Sequence, residues 1–113
     1  MQLFNKGGDR QMITSKYFDM GQVVVTKGIH EAMRENIRFA VEVDLCLKRY
    51  RVKDWGNLCE EDKMINEDSL TYPDDLYLLG VYETCKGKIL IITCRVSEKA
   101  GDNATTVCFP DER

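Results

Sequence analysis

The sequence predicts a small α+β protein in which about three helices pack on a four-stranded, mainly antiparallel sheet, in the order β-α-α-α-β-β-β. The chain has 113 residues, the length of one small domain. Runs of β-branched residues occur near the start of the chain and in its last third, whereas the middle third carries helix signals. Residues 1–16 have little apolar periodicity and are predicted to form a flexible N-terminal arm, which leaves residues 17–113 as a single α+β domain.

The first two elements are a strand and a short helix. The strand is predicted over residues 17–26, because three consecutive valines lie there between two glycines, and this run indicates cover on both faces. The helix is predicted over residues 29–35, with Ile29 and Met33 one turn apart. Asn36 is predicted to close this helix in the left-handed conformation.

Residues 37–52 fit two patterns. The strand interpretation rests on alternating apolar residues: Phe39, Val41, Val43, Leu45 and Leu47. The helix interpretation rests on one apolar stripe: Phe39, Val43, Cys46, Leu47 and Tyr50. The helix also offers two pairs of opposite charge at i,i+4 spacing, Arg38–Glu42 and Asp44–Lys48. Period alone favours the strand.

A turn and a third helix follow. Asp54-Trp55-Gly56 is predicted to be the turn, and Asn57 has the spacing of a helix N-cap with Glu60 as its partner. The helix is predicted from about Leu58 to Leu70, with acidic residues in the first turn, where the helix dipole favours them. Its buried side is predicted to comprise Leu58, Ile65 and Leu70, with Cys59 or Met64.

The rest of the chain is predicted to be β. Two strands, 76–84 and 88–96, flank a short loop that contains Gly87. The unbroken apolar run of residues 89–92 indicates a central strand that is covered on both faces. The last strand begins near residue 104 and ends before Pro110.

The net charge of −3 conceals a sharp boundary between a basic and an acidic segment. Residues 27–53 carry seven basic and four acidic groups, whereas residues 54–75 carry one basic and eight acidic groups. Such asymmetry is typical of an interaction surface. The alternative is two solvated helix faces that pair with each other or with nothing.

The five cysteines form no C-x-x-C pair, which argues against a zinc ribbon or a thioredoxin-like redox motif. Free thiols together with the lack of an apolar signal segment predict a cytoplasmic protein. No cofactor and no metal site are predicted.

Asp54-Trp55-Gly56, Glu61-Asp62 and Asn66-Glu67 form the string D-W-G-x4-E-D-x3-N-E. With this string, the chain resembles a family of small uncharacterised proteins carried by bacterial plasmids, phages and conjugative elements. The resemblance extends to the segment 21–28, to Tyr82, to Ile91-Ile92-Thr93 and to the ending T-T-x-x-x-P-x-E at residues 105–112. It implies a mobile-element origin and no particular activity.

The stretch before D-W-G looks helical in that family, which decides residues 38–50 in favour of a helix. The chain departs from the family at several positions. Tyr50 and Lys53 stand where histidine and glycine are usual, Cys94 replaces a glutamate, and Arg113 replaces a tyrosine.

The sequence predicts a non-enzymatic protein that binds a host or mobile-element protein. No catalytic residue is assigned, because the single histidine, His30, has no local nucleophile signature around it. The sharpest version is an inhibitor of a host defence nuclease, of anti-restriction or anti-CRISPR type. The alternative is a nucleic-acid-binding accessory protein that uses the basic segment 48–53.

The protein-binding hypothesis and the nucleic-acid-binding alternative each have their own candidate residues. The predicted partner-binding residues lie in the acidic segment: Asp54, Trp55, Glu60, Glu61, Asp62, Glu67 and Asp68. Trp55 is either a contact anchor or a cover for the junction of the second and third helices. The predicted phosphate contacts are Lys48, Arg49, Arg51 and Lys53.

Overall fold

The computed structural model describes residues 2–3, 14–72, 76–97 and 102–113, and confirms the α+β architecture. The three helices are α1 (Lys27–Glu35), α2 (Ile37–Tyr50) and α3 (Glu60–Thr71). The strands are β1 (Gln2–Leu3), β2 (Gln22–Val25), β3 (Tyr77–Thr84), β4 (Gly87–Arg95) and β5 (Asn103–Cys108). A short 3-10 helix, Pro110–Glu112, lies near the C-terminus.

The sheet has the strand order β1-β2-β5-β4-β3. Strands β3, β4 and β5 form the predicted antiparallel meander, and β2 lies parallel to β5. This four-stranded body is the predicted sheet, and β1 adds two antiparallel residues beside β2. Part of the predicted N-terminal arm, Gln2–Leu3, is thus a strand, whereas residues 4–13 lie outside the described residues.

Strand β2 is shorter than predicted and is not covered equally on its two faces. It begins at Gln22 because Gly21 has φ +61°, and the Asp19 carboxylate accepts a hydrogen bond from the Gly21 amide. Val23 and Val25 are buried, whereas Val24 is only half-buried. The central position predicted for the run 89–92 is confirmed, since β4 lies between β3 and β5 and residues 89–91 are buried.

Asn36 joins α1 to α2, and the left-handed conformation predicted for it is wrong. Its φ of −138° is extended backbone, and its side chain accepts a hydrogen bond from the Phe39 amide. Asn36 is therefore both the C-cap of α1 and the N-cap of α2. This direct connection holds the two helices close together on the sheet.

Helix α2 confirms the helix interpretation of residues 38–50. Its buried residues are the predicted stripe: Phe39, Val43, Cys46, Leu47 and Tyr50. The predicted pair Asp44–Lys48 is present, with 3.0 Å between Lys48 Nζ and Asp44 Oδ2. The strand-like alternation arises because α2 carries a second apolar stripe on its solvent side: Ile37, Val41 and Leu45.

Helix α3 begins two residues later than predicted and presents a different face to the protein. Its N-cap is Cys59, which makes no side-chain capping hydrogen bond. The predicted N-cap, Asn57, lies before the helix, and its backbone amide donates to the Val81 carbonyl. Met64 and Ile65 are 68% and 58% exposed, so their predicted burial is wrong. The deeply buried residue of α3 is Asn66, since the helix lies against the edge strand β3 and contacts its backbone.

Candidate functional site

The turn after α2 is held by Asp54. Its two carboxylate oxygens accept hydrogen bonds from the Arg49 guanidinium, at 2.8 and 3.2 Å, and one of them also accepts from the Gly56 amide at 3.1 Å. The hydrogen bonds from Arg49 lower the pKa of Asp54, so the carboxylate stays ionised. Asp54, a predicted partner-binding residue, is therefore an anchor of the turn.

Trp55, one of the predicted partner-binding residues, is a core residue, so little of its ring is open to a partner. Its ring is 4% exposed. It packs edge-on against Tyr50, with centroids 5.3 Å apart, and lies 6.0 Å from the ring of Phe18. The ring is drawn inward because its neighbour Gly56, with φ +72°, brings the backbone against Val81.

The turn before α3 and the helix α3 itself pair with the outer edge of β3. The Trp55 carbonyl and the Asn57 amide pair with the Val81 amide and carbonyl, at 3.0 and 2.7 Å. The Asn66 side chain pairs with the amide and the carbonyl of Leu79, at 3.1 and 2.8 Å. An exposed strand edge invites pairing with another chain. The D-W-G and N-E parts of the string therefore protect this edge.

A second set of residues from the resemblance meets inside the core. The Tyr50 hydroxyl donates to Thr93 Oγ1 at 2.8 Å, Thr93 and Thr105 share a 2.7 Å hydrogen bond, and Thr105 donates to the Met20 carbonyl. Burial raises the pKa of Tyr50, so the hydroxyl keeps its proton and remains a donor. This series of hydrogen bonds ties α2 to β4 and β5.

The C-terminal Glu112 binds the start of α1. Its carboxylate accepts from the Thr26 hydroxyl at 2.6 Å, from the Gly28 amide at 3.1 Å and from the Phe109 amide at 3.0 Å. Burial raises the pKa of Glu112, but these hydrogen bonds together bring it below its ordinary value. A carboxylate at a helix N-terminus satisfies free amides and the helix dipole.

Three of the four predicted phosphate contacts are engaged with carboxylates of the same chain. Lys48 pairs with Asp44, Arg49 with Asp54, and Lys53 with Glu67. The last two pairs join the basic segment to the acidic one. The alternative in which the two charged segments pair with each other therefore accounts for much of the charge boundary. Arg51, the fourth residue, is exposed.

The predicted acidic residues do not all lie on one surface. Glu67 faces Lys53, with 3.3 Å between the charged atoms, and Asp62 is half-buried. The exposed side of α3 combines three acids with three large apolar residues, which we call the α3 surface: Glu60, Glu61, Met64, Ile65, Asp68 and Tyr72. The sequence pattern does not reveal the exposed apolar residues of this surface, because it predicts a single apolar stripe for α3 that faces the core.

The exposed apolar side chains of the α3 surface are large. Met64 is 68% exposed, Ile65 58% and Tyr72 69%. None of the three belongs to the core or to the partly buried residues that pack against it. Glu60 is paired with Lys63 at 3.3 Å. We call Met64, Ile65 and Tyr72 the apolar ridge, and the acidic residues of the α3 surface lie among and beside them.

Two of the five cysteine thiols lie in surroundings that disfavour a reactive thiolate. Burial raises the pKa of Cys46 to about 11, and a hydrogen bond to Glu42 raises that of the exposed Cys85, so neither favours the reactive thiolate. Within the described ranges, no three His, Cys, Asp or Glu side chains form a group that could hold a metal ion.

Comparison with protein-family models, with curated proteins and with solved structures gives no match to this chain. In the part of the chain that the structure describes, no helix is both long enough and apolar enough to cross a bilayer.

Proposed function

We propose that this chain acts by binding another protein, without catalysis, and that the α3 surface is its binding site. The observation that carries the proposal is the exposure of three large apolar side chains, Met64 and Ile65 on α3 and Tyr72 at its C-cap. Clustered exposed apolar residues with a polar surround mark protein-binding sites on soluble domains.

The α3 surface is well held before any partner arrives. The Asn66 side chain fixes the middle of the helix to Leu79, and Ser69 Oγ accepts from the Tyr77 amide at 2.7 Å near its end. Because the helix is already ordered, little conformational entropy is lost when it binds. The preorganised ridge therefore favours a partner with a matching groove.

The charges define the chemistry of that partner. Glu60, Glu61 and Asp68 are exposed beside the apolar ridge. They fit an apolar groove with basic side chains at its rim, and electrostatic attraction would speed association. A nuclease that binds nucleic acid offers basic surfaces of this kind. The sharpest form of the proposal is therefore a cytoplasmic inhibitor of a host defence nuclease, with the mobile-element origin taken from the resemblance alone.

The proposal is tested by crosslinking and affinity capture from a bacterial host, followed by measurement of affinity with the purified partner. We expect Ile65→Glu to weaken binding by at least tenfold, because it places a charge in the centre of the ridge. Val96→Glu is the matched control, since Val96 is 57% exposed at the far end of β4. Equal affinity of both variants and the wild-type protein, or capture of no partner, would contradict the proposal.

Two further measurements separate the specific versions. The nuclease-inhibitor version requires that the protein reduce restriction or CRISPR interference in cells, and that Ile65→Glu abolish the effect. The nucleic-acid alternative requires a salt-dependent gel shift that Arg51→Glu removes. We expect no shift even at low salt, because Lys48, Arg49 and Lys53 are paired with carboxylates.

A further inference from the structure

Helix α2 carries a stripe of aliphatic side chains on the side that faces solvent. Ile37 is 83% exposed, Val41 54% and Leu45 52%. They follow one another at intervals of four residues, so they lie along one side of the helix, one turn apart. The opposite side of the same helix holds the buried stripe that packs on the sheet.

Among the described residues, this outer stripe takes no part in the hydrophobic core. A surface helix of a globular protein ordinarily has one apolar side toward the core and a polar side toward water. Here the second apolar side is what gives residues 39–47 their strand-like alternation. Contiguous exposed aliphatic side chains are unfavourable in water and mark sites that another molecule covers.

We propose that the outer stripe of α2 is covered by the same stripe of a second copy of this chain, packed antiparallel about a twofold axis through Val41. This arrangement places Ile37 of each copy opposite Leu45 of the other, and the two Val41 side chains meet at the centre. Twofold dimers are the commonest closed assemblies, because one patch serves both copies.

The charges beside the stripe select this occupant. Arg38 and Glu42 lie one turn apart on the same flank of the stripe. In the antiparallel arrangement, Arg38 of one copy and Glu42 of the other are offset by two residues along the helix axis. At about 1.5 Å rise per residue this offset is about 3 Å, so the two side chains lie nearly level. Two ion pairs between the copies therefore form. In a parallel twofold pair, by contrast, the same flank of the two copies lies on opposite sides of the seam, so Arg38 of one copy would not meet Glu42 of the other.

Glu42 is prepared for this pairing. Its Oε1 accepts a hydrogen bond from the Cys85 amide at 3.0 Å, which orients the carboxylate. The hydrogen bonds from Cys85, helped by the nearby charge of Arg38, lower the pKa of Glu42 and keep it ionised. The flank of the stripe thus presents a fixed negative charge next to a positive one.

The interface is small, and the dimer is expected to be weak. Helix α2 has 14 residues, a length of about 21 Å, and one helix pair covers less than the roughly 800 Å² per partner of a standard interface. The association should therefore depend on concentration. Sedimentation equilibrium between low micromolar and millimolar protein is the appropriate measurement.

In that experiment we expect the wild-type mass to rise from monomer to dimer with concentration. Val41→Glu should remain a monomer, whereas Val96→Glu, the same substitution at a similarly exposed valine, should dimerise like the wild-type protein. If the wild-type protein stays monomeric at every concentration, the proposal is overturned, and a different kind of molecule covers the stripe. Dimerisation of Val41→Glu, or its loss in Val96→Glu, overturns it equally.

Charge exchange tests the antiparallel pairing itself. Arg38→Glu and Glu42→Arg should each weaken dimerisation at least tenfold, because each creates two like-charge contacts. A mixture of the two variants should form heterodimers, since every contact is then of opposite sign. Circular dichroism confirms that both variants are folded. Failure of the mixture to associate while the wild-type protein dimerises would rule out this arrangement.

Discussion

Gly56 has two structural requirements that no other residue meets. Its φ is +72°, and a Cβ atom there would lie 2.0 Å from the Val81 carbonyl oxygen and 2.8 Å from the Tyr82 ring. Lys53 in the same turn also has a positive φ, of 67°. The backbone of this turn is thus suited to glycine at both positions.

We expect Gly56→Ala to lower the free energy of unfolding by about 3 kcal/mol, from strain at positive φ together with the clash. Gly87→Ala is the matched control, because its φ is +95° but a Cβ would meet nothing within 4 Å. It should lose only about 1–2 kcal/mol. Urea unfolding followed by tryptophan fluorescence measures both variants, and equal losses would show that the close approach to Val81 is unimportant.

At the scale of elements, α3 relates to the sheet in an unusual way. Among the described residues of α3, the one apolar side chain that packs against the core is Leu70. The helix lies along the edge of β3 and supplies polar side chains, Asn66 and Ser69, that pair with the strand backbone. This geometry leaves the other side of α3 free to carry the exposed Met64, Ile65 and Tyr72.

We expect Asn66→Ala to destabilise the protein by about 2–3 kcal/mol, because both backbone groups of Leu79 lose their partner at a site where Asn66 is only 2% exposed. Asn57→Ala is the matched control, since the Asn57 side chain is exposed and its backbone amide bond to Val81 is retained. Hydrogen exchange should show faster exchange of the Leu79 amide in Asn66→Ala. An unchanged Leu79 amide would contradict the edge-sealing role.

At the scale of the whole molecule, contacts distant in sequence hold the two ends of the described domain together. Glu112 caps α1 across more than eighty residues of sequence, and Thr105 reaches the Met20 carbonyl in the core. The first contact joins the 3-10 helix to the start of α1, and the second joins β5 to the segment before β2. Residues 103–112 are therefore part of the folded domain.

We expect the Glu112 contact to make stability depend on pH. Because the pKa of Glu112 is lowered in the folded state, its contribution is complete above its unfolded pKa and is lost as the pH falls through the lower folded value. Glu112→Gln should melt a few degrees below the wild-type protein at pH 7, and the gap should close as the pH falls below 4.

Asp111→Asn is the control, because it removes the same charge one residue away, and its melting temperature should follow that of the wild-type protein across the pH range. Differential scanning calorimetry gives the melting temperatures. A gap for Glu112→Gln that stays constant down to pH 2.5 would show that ionisation of Glu112 is not involved.

The sequence by itself determined the α+β class and the order of the elements outside residues 37–52, where the local pattern fitted both a strand and a helix and only the resemblance favoured the helix. These follow from local signals, namely apolar period, glycine positions and the charges at helix ends, which act between residues close in the chain. It also determined that Asp54-Trp55-Gly56 is a turn, because few other residues allow such a tight change of direction.

Only the tertiary structure decided which apolar residues face water. The period of a helix shows that Ile65 or Val41 lies on a given side, but not whether a sheet covers that side. Because α3 lies at the sheet edge, its inner residue is the polar Asn66 and its apolar residues are exposed, while the Trp55 ring is buried against Tyr50. Burial depends on where the elements meet, and that is decided by contacts between residues far apart in the sequence.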